Sequence, residues 1–434
     1  MLVSNYAFVA MTQTGICLYN ALSGGMCVIS KNILPYLTID GEKLIGVADT
    51  LPERIIKRLQ AANICDFDAN TYLSELEKAS AGLDPYSRIG SVRFTLTKAC
   101  DCRCAYCYVD GKDQGKALEV SDCLNLITTL LSRSKRREIK IRYFGGEPTL
   151  EFDRICEIHE ESMKIEGVSF PAIVNTNGQG LTEAMALYFA QRDIKIVLSL
   201  DSVKSINDQQ RVSSNPNGYY EKAVESIKLL KKHGARFVVG SVVTDMNKYH
   251  IGEFLRELRD LGVSSVCLNF AKMVDGSVVT YDSESARIIL DAWEYGKSNG
   301  IAVSGYWYLP FDRMVRGSSH GFCGCLGYEL DLRPGNALFS CVGAKKPIGT
   351  IESLNAAFSS SLYQSLLTRV PTKITGCEGC SLEGLCAGDC ACDAEYHCGS
   401  IGTRNESVCR MQKEITLGLL ERSFNERRVV AAAE

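Results

Sequence analysis

The stretch Cys100-Asp101-Cys102-Arg103-Cys104-Ala105-Tyr106-Cys107 decides how the rest of the chain is read. Cys100, Cys104 and Cys107 give the spacing Cys-x3-Cys-x2-Cys, with Tyr106 directly before the last thiol. A strand-like run, SVRFTLT at 91–97, leads into it. Soft thiolate ligands suit iron–sulfur clusters, and three of them on one short loop can hold three irons of a four-iron cube. No fourth ligand is nearby in the sequence, so one iron would keep an open position. A zinc knuckle, or buried thiols with Cys102 as bystander, is the plainer alternative.

Composition narrows the field. The 434 residues are enough for more than one domain, and the 46% apolar and 23% charged fractions are those of an ordinary globular protein. A formal net charge of −3 gives no basic footprint for nucleic acid. No apolar run approaches the ~20 residues that a membrane-spanning helix needs. The start, MLVSNYAFVAMTQTG, has neither a basic leader region nor a small-residue cleavage site, so the expected location is the cytoplasm. That compartment keeps thiols reduced, and most of the twenty cysteines cluster in 100–107 and 323–409. They read as metal ligands rather than as a disulfide framework.

The chain then divides in order. Residues 1–90 hold strand-like runs at 5–12, 15–21 and 26–30, followed by a helical pattern at 52–62 with Ile55, Ile56 and Leu59 on one face. From 91 to 280 strand and helix alternate. The strand-like runs lie at 91–97, 139–144, 171–178, 194–201, 235–244 and 263–272. Six β–α repeats with buried β-branched runs predict a parallel sheet covered by helices and curved as in a (β/α) barrel, with ligands at the C-terminal ends of the strands. The informative loops fall there: Gly145-Gly146-Glu147-Pro148 after the second strand, Asn177 after the third, and Ser199, Asp201 and then Arg211 after the fourth. Two glycines allow close backbone approach, and a carboxylate accepts hydrogen bonds from an ammonium. Taken singly these residues read as a turn, a cap and a surface pair.

The cysteine loop together with these loops resembles the radical S-adenosylmethionine (SAM) enzymes. The resemblance implies an α/β fold with an open (β/α)6 barrel, a [4Fe–4S] cluster on Cys100, Cys104 and Cys107, and SAM on the open iron. It implies cofactor contacts from Tyr106, Gly145, Gly146, Glu147, Pro148, Asn177, Ser199, Asp201 and Arg211. Residues 1–90 resemble the winged-helix-like module that binds leader peptides in ribosomally made peptide pathways; a structural cap is the equal alternative.

Residues 281–300 read as a linking helix, 301–425 as a cysteine-rich domain and 426–434 as a tail. The domain holds Cys323-Gly324-Cys325, Gly335, Cys341, then Cys377-x2-Cys380-x5-Cys386-x3-Cys390, and Cys409. This resembles the SPASM extension, which carries two auxiliary [4Fe–4S] clusters; a zinc ribbon is the alternative. The resemblance assigns Cys377, Cys380, Cys386 and Cys409 to an outer cluster, and Cys323, Cys325, Cys341 and Cys390 to an inner one. Five residues between Gly335 and Cys341, and only Gly324 between Cys323 and Cys325, depart from the usual spacing and leave the inner ligand set open. Cys392 and Cys398 are unassigned.

What these resemblances imply is an oxidoreductase that matures a precursor peptide carrying a leader, drawing electrons from a flavodoxin- or ferredoxin-type reductant, with no nucleic-acid or membrane partner. Thioether formation is the first expectation and carbon–carbon linkage the second. A formylglycine-forming sulfatase maturase and a non-catalytic iron–sulfur electron carrier are the rivals.

Overall fold

The computed structural model of the chain describes residues 1–81, 83–109, 116–213, 218–271, 273–274, 277–278, 281–316 and 321–423. The expected tail at 426–434 lies outside the described residues.

The N-terminal part is an antiparallel sheet of β1 (Ala7–Met11), β2 (Ile16–Asn20), β3 (Met26–Ile29), β4 (Leu37–Asp40) and β5 (Lys43–Val47), in the order β3-β2-β1-β5-β4. The first three strands and the helix Glu53–Ala61 fall where the sequence pattern predicts them. Side chains alternate between the faces. Ala7, Val9, Ile16 and Leu18 pack on Ile55 and Leu59 of that helix, whereas Phe8, Ala10, Cys17 and Tyr19 join the main core of the molecule. Both faces are therefore covered, which is why β1 and β2 are apolar almost throughout. The sheet docks onto the cysteine-rich part, where Gly384 N–H donates to Ala21 O at 2.8 Å.

The main sheet contains all six predicted parallel strands: β6 (Ser91–Thr95), β8 (Lys140–Phe144), β9 (Ala172–Thr176), β10 (Lys195–Ser199), β12 (Phe237–Val243) and β13 (Ser265–Phe270). Between them come two short segments, β7 (Cys102–Cys104) and β11 (Arg211–Ser213), that pair antiparallel with each other. The hairpin β14 (Met273–Val274) and β15 (Ser277–Val278) follows β13. Each parallel strand is followed by a helix with a buried apolar stripe, such as Ala223, Val224, Ile227 and Leu230 on Tyr220–Lys232.

The sheet continues beyond the six predicted strands. β16 (Ala302–Ser304) adds in parallel to β13 at one edge. At the other edge β17 (Glu329–Arg333) pairs in parallel with β6, followed by antiparallel β18 (Ala337–Phe339) and β19 (Gly349–Thr350). The order β16-β13-β12-β10-β9-β8-β6-β17-β18-β19 is open. β17 carries Glu329 and Asp331 onto the polar face of β6. There Arg93 pairs with Glu329 at 2.8 Å, and Thr95 Oγ1 donates to Asp331 Oδ1 at 2.8 Å. The cysteine-rich segment is thus stitched into the sheet edge by buried charge pairs. The final helix, Glu406–Ser423, packs along the linking helix Ser283–Asn299, with Gly418 facing Leu290 so closely that a Cβ would lie 2.4 Å from its Cδ1.

Candidate active site and cysteine clusters

The 97–107 loop leaves the C-terminal end of β6 and is held from two sides. Pairing of β7 with β11 sets Cys104 opposite Arg211, and Ala105 N–H donates to Gln210 O at 3.0 Å. On the other side Gly146 N–H donates to Thr97 O and Glu147 N–H to Ala99 O, both at 2.8 Å. A Cβ on Gly145 would lie 2.4 Å from Thr97 O, and one on Gly146 2.3 Å from Ala99 O. The two glycines are required by this close approach of two loops, a reason internal to the fold that the sequence pattern could not supply.

Glu147 is buried, with its carboxylate filled by its own chain. It accepts from Thr149 N (3.0 Å), Thr149 Oγ1 (2.6 Å), Thr176 Oγ1 (2.7 Å) and Asn177 N (2.7 Å). Asn177 then reaches the cysteine loop, donating from Nδ2 to Asp101 Oδ1 at 2.5 Å and approaching Cys102 Sγ at 3.5 Å and Cys100 Sγ at 3.8 Å. Hydrogen bonding with the Cys102 thiol, against the effect of burial, pulls the Cys100 thiol down to about 7, aided by the Cys102 N–H at 3.4 Å.

Asp201 and Arg211 form the other half. Asp201 Oδ2 accepts from Tyr106 OH at 2.6 Å, Gln210 Nε2 at 2.9 Å and Arg211 Nε at 2.7 Å. Oδ1 accepts from Arg211 Nη2 at 3.0 Å and Val242 N at 2.8 Å. The guanidinium lies between the rings of Tyr106 and Tyr219, at 5.4 and 5.3 Å, and Nη1 stands 3.8 Å from Cys104 Sγ. Burial, opposed by Arg211, pushes the Tyr106 hydroxyl well above the ordinary phenol range, so it stays a donor to Asp201. Tyr219 OH bridges the carbonyls of Asn177 (2.5 Å) and Ser199 (2.7 Å). Ser199 is half-buried at the end of β10, and Pro148 is buried at the start of the short turn 148–151.

The structure thus brings the predicted residues of the first site into one connected network at the C-terminal ends of β6, β8, β9 and β10. Tyr219, Thr176 and Gln210 belong to it and were missed. Their contacts join loops far apart in sequence; Thr176 and Gln210 adjoin the predicted Asn177 and Arg211, but only the fold shows their side chains turned onto Glu147 and Asp201.

Beyond the barrel mouth the cysteines of 323–409, Cys398 apart, form two groups. Cys380 acts on Cys377, Cys386 and Cys409, Arg404 acts on Cys377 and Cys409, and burial pushes the Cys409 thiol up to about 12. The second group gathers Cys323, Cys325, Cys341 and Cys390, and includes Cys392. Cys398 is exposed and donates to Arg404 O at 3.3 Å. Arg93 acts on both Tyr108 and Tyr306, while Cys107 and Cys341 act on Tyr108 and Cys323 and Cys390 on Tyr306. Among the described residues no three His, Cys, Asp or Glu side chains converge on a single metal ion. Each thiolate of a four-iron cluster binds its own iron, so cluster ligands stand farther apart than the ligands of one ion. The donor set at the mouth fits such a group: three half-buried thiols, with N–H donors directed at Cys100 and Cys104.

Residues 94–261 match the model of the radical SAM superfamily, so the chain carries a radical SAM domain. The chain is an enzyme, and enzymes of the radical SAM family use a [4Fe–4S] cluster and SAM. Over its length the chain is similar to the radical SAM cyclopropyl synthase TigE of Paramaledivibacter caminithermalis, 20% identical over 94% of this chain and 93% of that protein. It is 22% identical to the cysteine-type anaerobic sulfatase-maturating enzyme of Clostridium novyi, over 72% of this chain and 90% of that one. Among solved structures, anSMEcpe with bound AdoMet and Cp18Cys peptide superposes with a TM-score of 0.66 at 17% identity, covering 79% of this chain and 99% of that one. Streptococcus suis SuiB bound to precursor peptide SuiA gives 0.59 at 16% identity, covering 94% and 99%. The α/β parallel-sheet fold agrees with both. Among the described residues no helix is long and apolar enough to cross a membrane.

Proposed function

We propose that this enzyme modifies a ribosomally made precursor peptide: one hydrogen atom is abstracted, and a new bond within the peptide closes as a second hydrogen leaves as a proton and its electron passes to an auxiliary cluster. The observation that carries the reading is the network joining Cys100, Asn177 and Glu147 on one side to Cys104, Arg211 and Asp201 on the other. Cys100, Cys104 and Cys107 would hold the cluster. A [4Fe–4S] cluster with SAM would supply there the reductive cleavage of SAM that makes hydrogen-atom abstraction possible. The chain's own part is positional. Glu147 and Asn177 lock the cysteine loop against the Gly145–Pro148 turn. The Asp201–Arg211 pair fixes Tyr106 and Cys104, and the buried setting keeps water from the reacting atoms. An external flavodoxin- or ferredoxin-type protein would supply the electron.

Coverage favours a peptide maturase over a sulfatase maturase. The cyclopropyl synthase and SuiB each align with 94% of the chain, whereas the sulfatase-maturating enzymes of Clostridium novyi and Klebsiella aerogenes align with 72% and 67%. Thioether formation rests on an iron with an open position at the inner cysteine group. Five thiols gathered there exceed what four irons need, so carbon–carbon bond formation, as the cyclopropyl synthase's name describes for that protein, carries the better support. Two auxiliary clusters, on the outer four cysteines and on the inner group, complete the proposal.

Residues 1–90 would hold the leader. With both sheet faces covered, the free edges are β3 and β4. Beside β3 lies a cavity lined by Gly25, Met26, Cys27, Val28, Arg58 and Ala61, where an extended chain could add to the edge once Arg58 releases Val28 O.

The test is anaerobic incubation of reconstituted enzyme with SAM, dithionite and the precursor encoded beside the gene. Loss of two hydrogens from the peptide, with every cysteine thiol still open to alkylation, is the expected result. Loss of one alkylatable thiol would mean a thioether, and an unchanged peptide alongside 5′-deoxyadenosine would mean that the substrate class is wrong.

A further inference from the structure

The groove beside β3 is basic, in a chain whose formal net charge is −3. Residues 25–31 and the helix Glu53–Ala61 form its walls, and they carry Lys31, Arg54, Lys57 and Arg58 against one carboxylate, Glu53. Lys57 takes that carboxylate at 2.8 Å, and Lys31 Nζ donates to Gln13 O at 2.9 Å. Arg54 and Arg58 stand one helical turn apart and so share a face. Among the described residues neither is paired with a carboxylate.

The strand ladder shows what the edge offers. β3 pairs antiparallel with β2, with Leu18 opposite Cys27 and Ile16 opposite Ile29, and Asn20 N–H donates to Gly25 O at 2.8 Å. Bonds across an antiparallel pair recur at every second residue, so Gly25, Cys27 and Ile29 bond to β2. Met26 and Val28 therefore turn their N–H and C=O groups outward. One of these groups is occupied: Arg58 Nη2 donates to Val28 O at 2.8 Å. The helix end closes the groove at Gly25, where a Cβ would lie 2.2 Å from Ala62 O. The side chains of Cys27 and Ile29 lie on the helix side of the sheet. An added strand alternates its side chains in the same way, and those on that side come down beside Arg58.

A cation on an edge strand can simply guard it against pairing. Two features point further: Arg58 is half-exposed and holds a neutral carbonyl rather than a carboxylate, and Arg54 adds a second unpaired cation to the same helix face. A guanidinium bonds a carboxylate about twice as strongly as a neutral acceptor. A carboxylate arriving on an added strand thus draws Arg58 off Val28 O and frees that carbonyl for an N–H of the strand. We infer that Arg58 is a gate that selects an acidic segment: the peptide bound at β3 carries an Asp or Glu side chain that takes Arg58 as the strand bonds to Met26 and Val28. The inference rests on the leader-binding reading of residues 1–90, and the experiment separates the two.

The probe is the precursor encoded beside the gene, labelled with fluorescein and titrated anaerobically into the reconstituted full-length enzyme, with anisotropy read at low and high salt. Arg58→Ala should weaken binding about tenfold and flatten its salt dependence, and Arg58→Lys should cost less. Replacing the precursor's Asp and Glu residues by Asn and Gln one at a time should find a position that costs the unsubstituted enzyme about tenfold and the Arg58→Ala enzyme nothing. Lys at that position should recover binding to Arg58→Glu. No binding of the precursor, or binding that Ala61→Trp leaves unchanged, would remove the leader reading itself. Binding that Ala61→Trp weakens but that is as tight or tighter with Arg58→Ala would overturn the inference and leave Arg58 an edge guard. So would a precursor in which no acidic position couples to Arg58.

Discussion

Asp201 takes the Arg211 guanidinium with both carboxylate oxygens, at 2.7 and 3.0 Å, while the remaining nitrogen of that guanidinium stands 3.8 Å from Cys104 Sγ. One buried ion pair thus ties the end of β10 to the cysteine loop of β6. Removing one partner strands a buried charge, so Asp201→Asn should destabilise the protein by about 3–5 kcal/mol. Arg211→Lys keeps the charge but loses the two-point contact and should cost less. Chemical denaturation of the unloaded protein measures both, and a smaller effect for the Asp201 variant would count against the pair's role.

Gly146→Ala should act through the neighbouring loop. Its Cβ would stand 2.3 Å from Ala99 O, so the cysteine loop must shift. The expected result is a folded protein by circular dichroism that binds about four fewer irons or loses SAM cleavage at least tenfold. Full iron and full cleavage would show that the loop tolerates the displacement.

The linking helix is capped by Asp282, whose carboxylate accepts from Ser285 N and Ser285 Oγ at 2.9 and 2.8 Å. The backbone and then the side-chain hydrogen bond from Ser285 hold its pKa below the ordinary value. A lowered folded-state pKa gives stability that is present above the unfolded value and is lost as pH falls through the folded one. Asp282→Ala should cost about 1 kcal/mol near neutral pH, and the difference from the unsubstituted protein should vanish in acid. A pH-independent difference would contradict the cap.

Filling the cavity beside β3 tests the leader reading without stripping the sheet from the core. Ala61 is exposed on the rim, so Ala61→Trp should weaken binding of a fluorescent precursor at least tenfold while 5′-deoxyadenosine formation from SAM alone is unchanged. Unaltered affinity would reduce residues 1–90 to a structural cap.

Most of the fold was legible because the six parallel strands are short β-branched runs between amphipathic helices, and their loops carry Gly145–Pro148, Asn177 and Asp201 in chain order. β4 and β5 escaped notice because LTID and KLIGV are short and joined only by Gly41-Glu42. β17 was hidden by its charges. Glu329, Asp331 and Arg333 read as a solvent face, but they are paired with Arg93, Thr95 and one another inside the sheet. The cysteine loop was readable from spacing alone. The membership of Cys392 in the inner group was not, since it depends on the helix start meeting the end of β18.

The most direct test of the central claim is 5′-deoxyadenosine release from SAM by the reconstituted, dithionite-reduced protein, compared with the Cys100→Ala/Cys104→Ala/Cys107→Ala variant. The unsubstituted enzyme should release it, and the variant should release none while keeping the absorbance of the auxiliary clusters. Release of 5′-deoxyadenosine by the variant would contradict the assignment of this loop as the radical-generating centre.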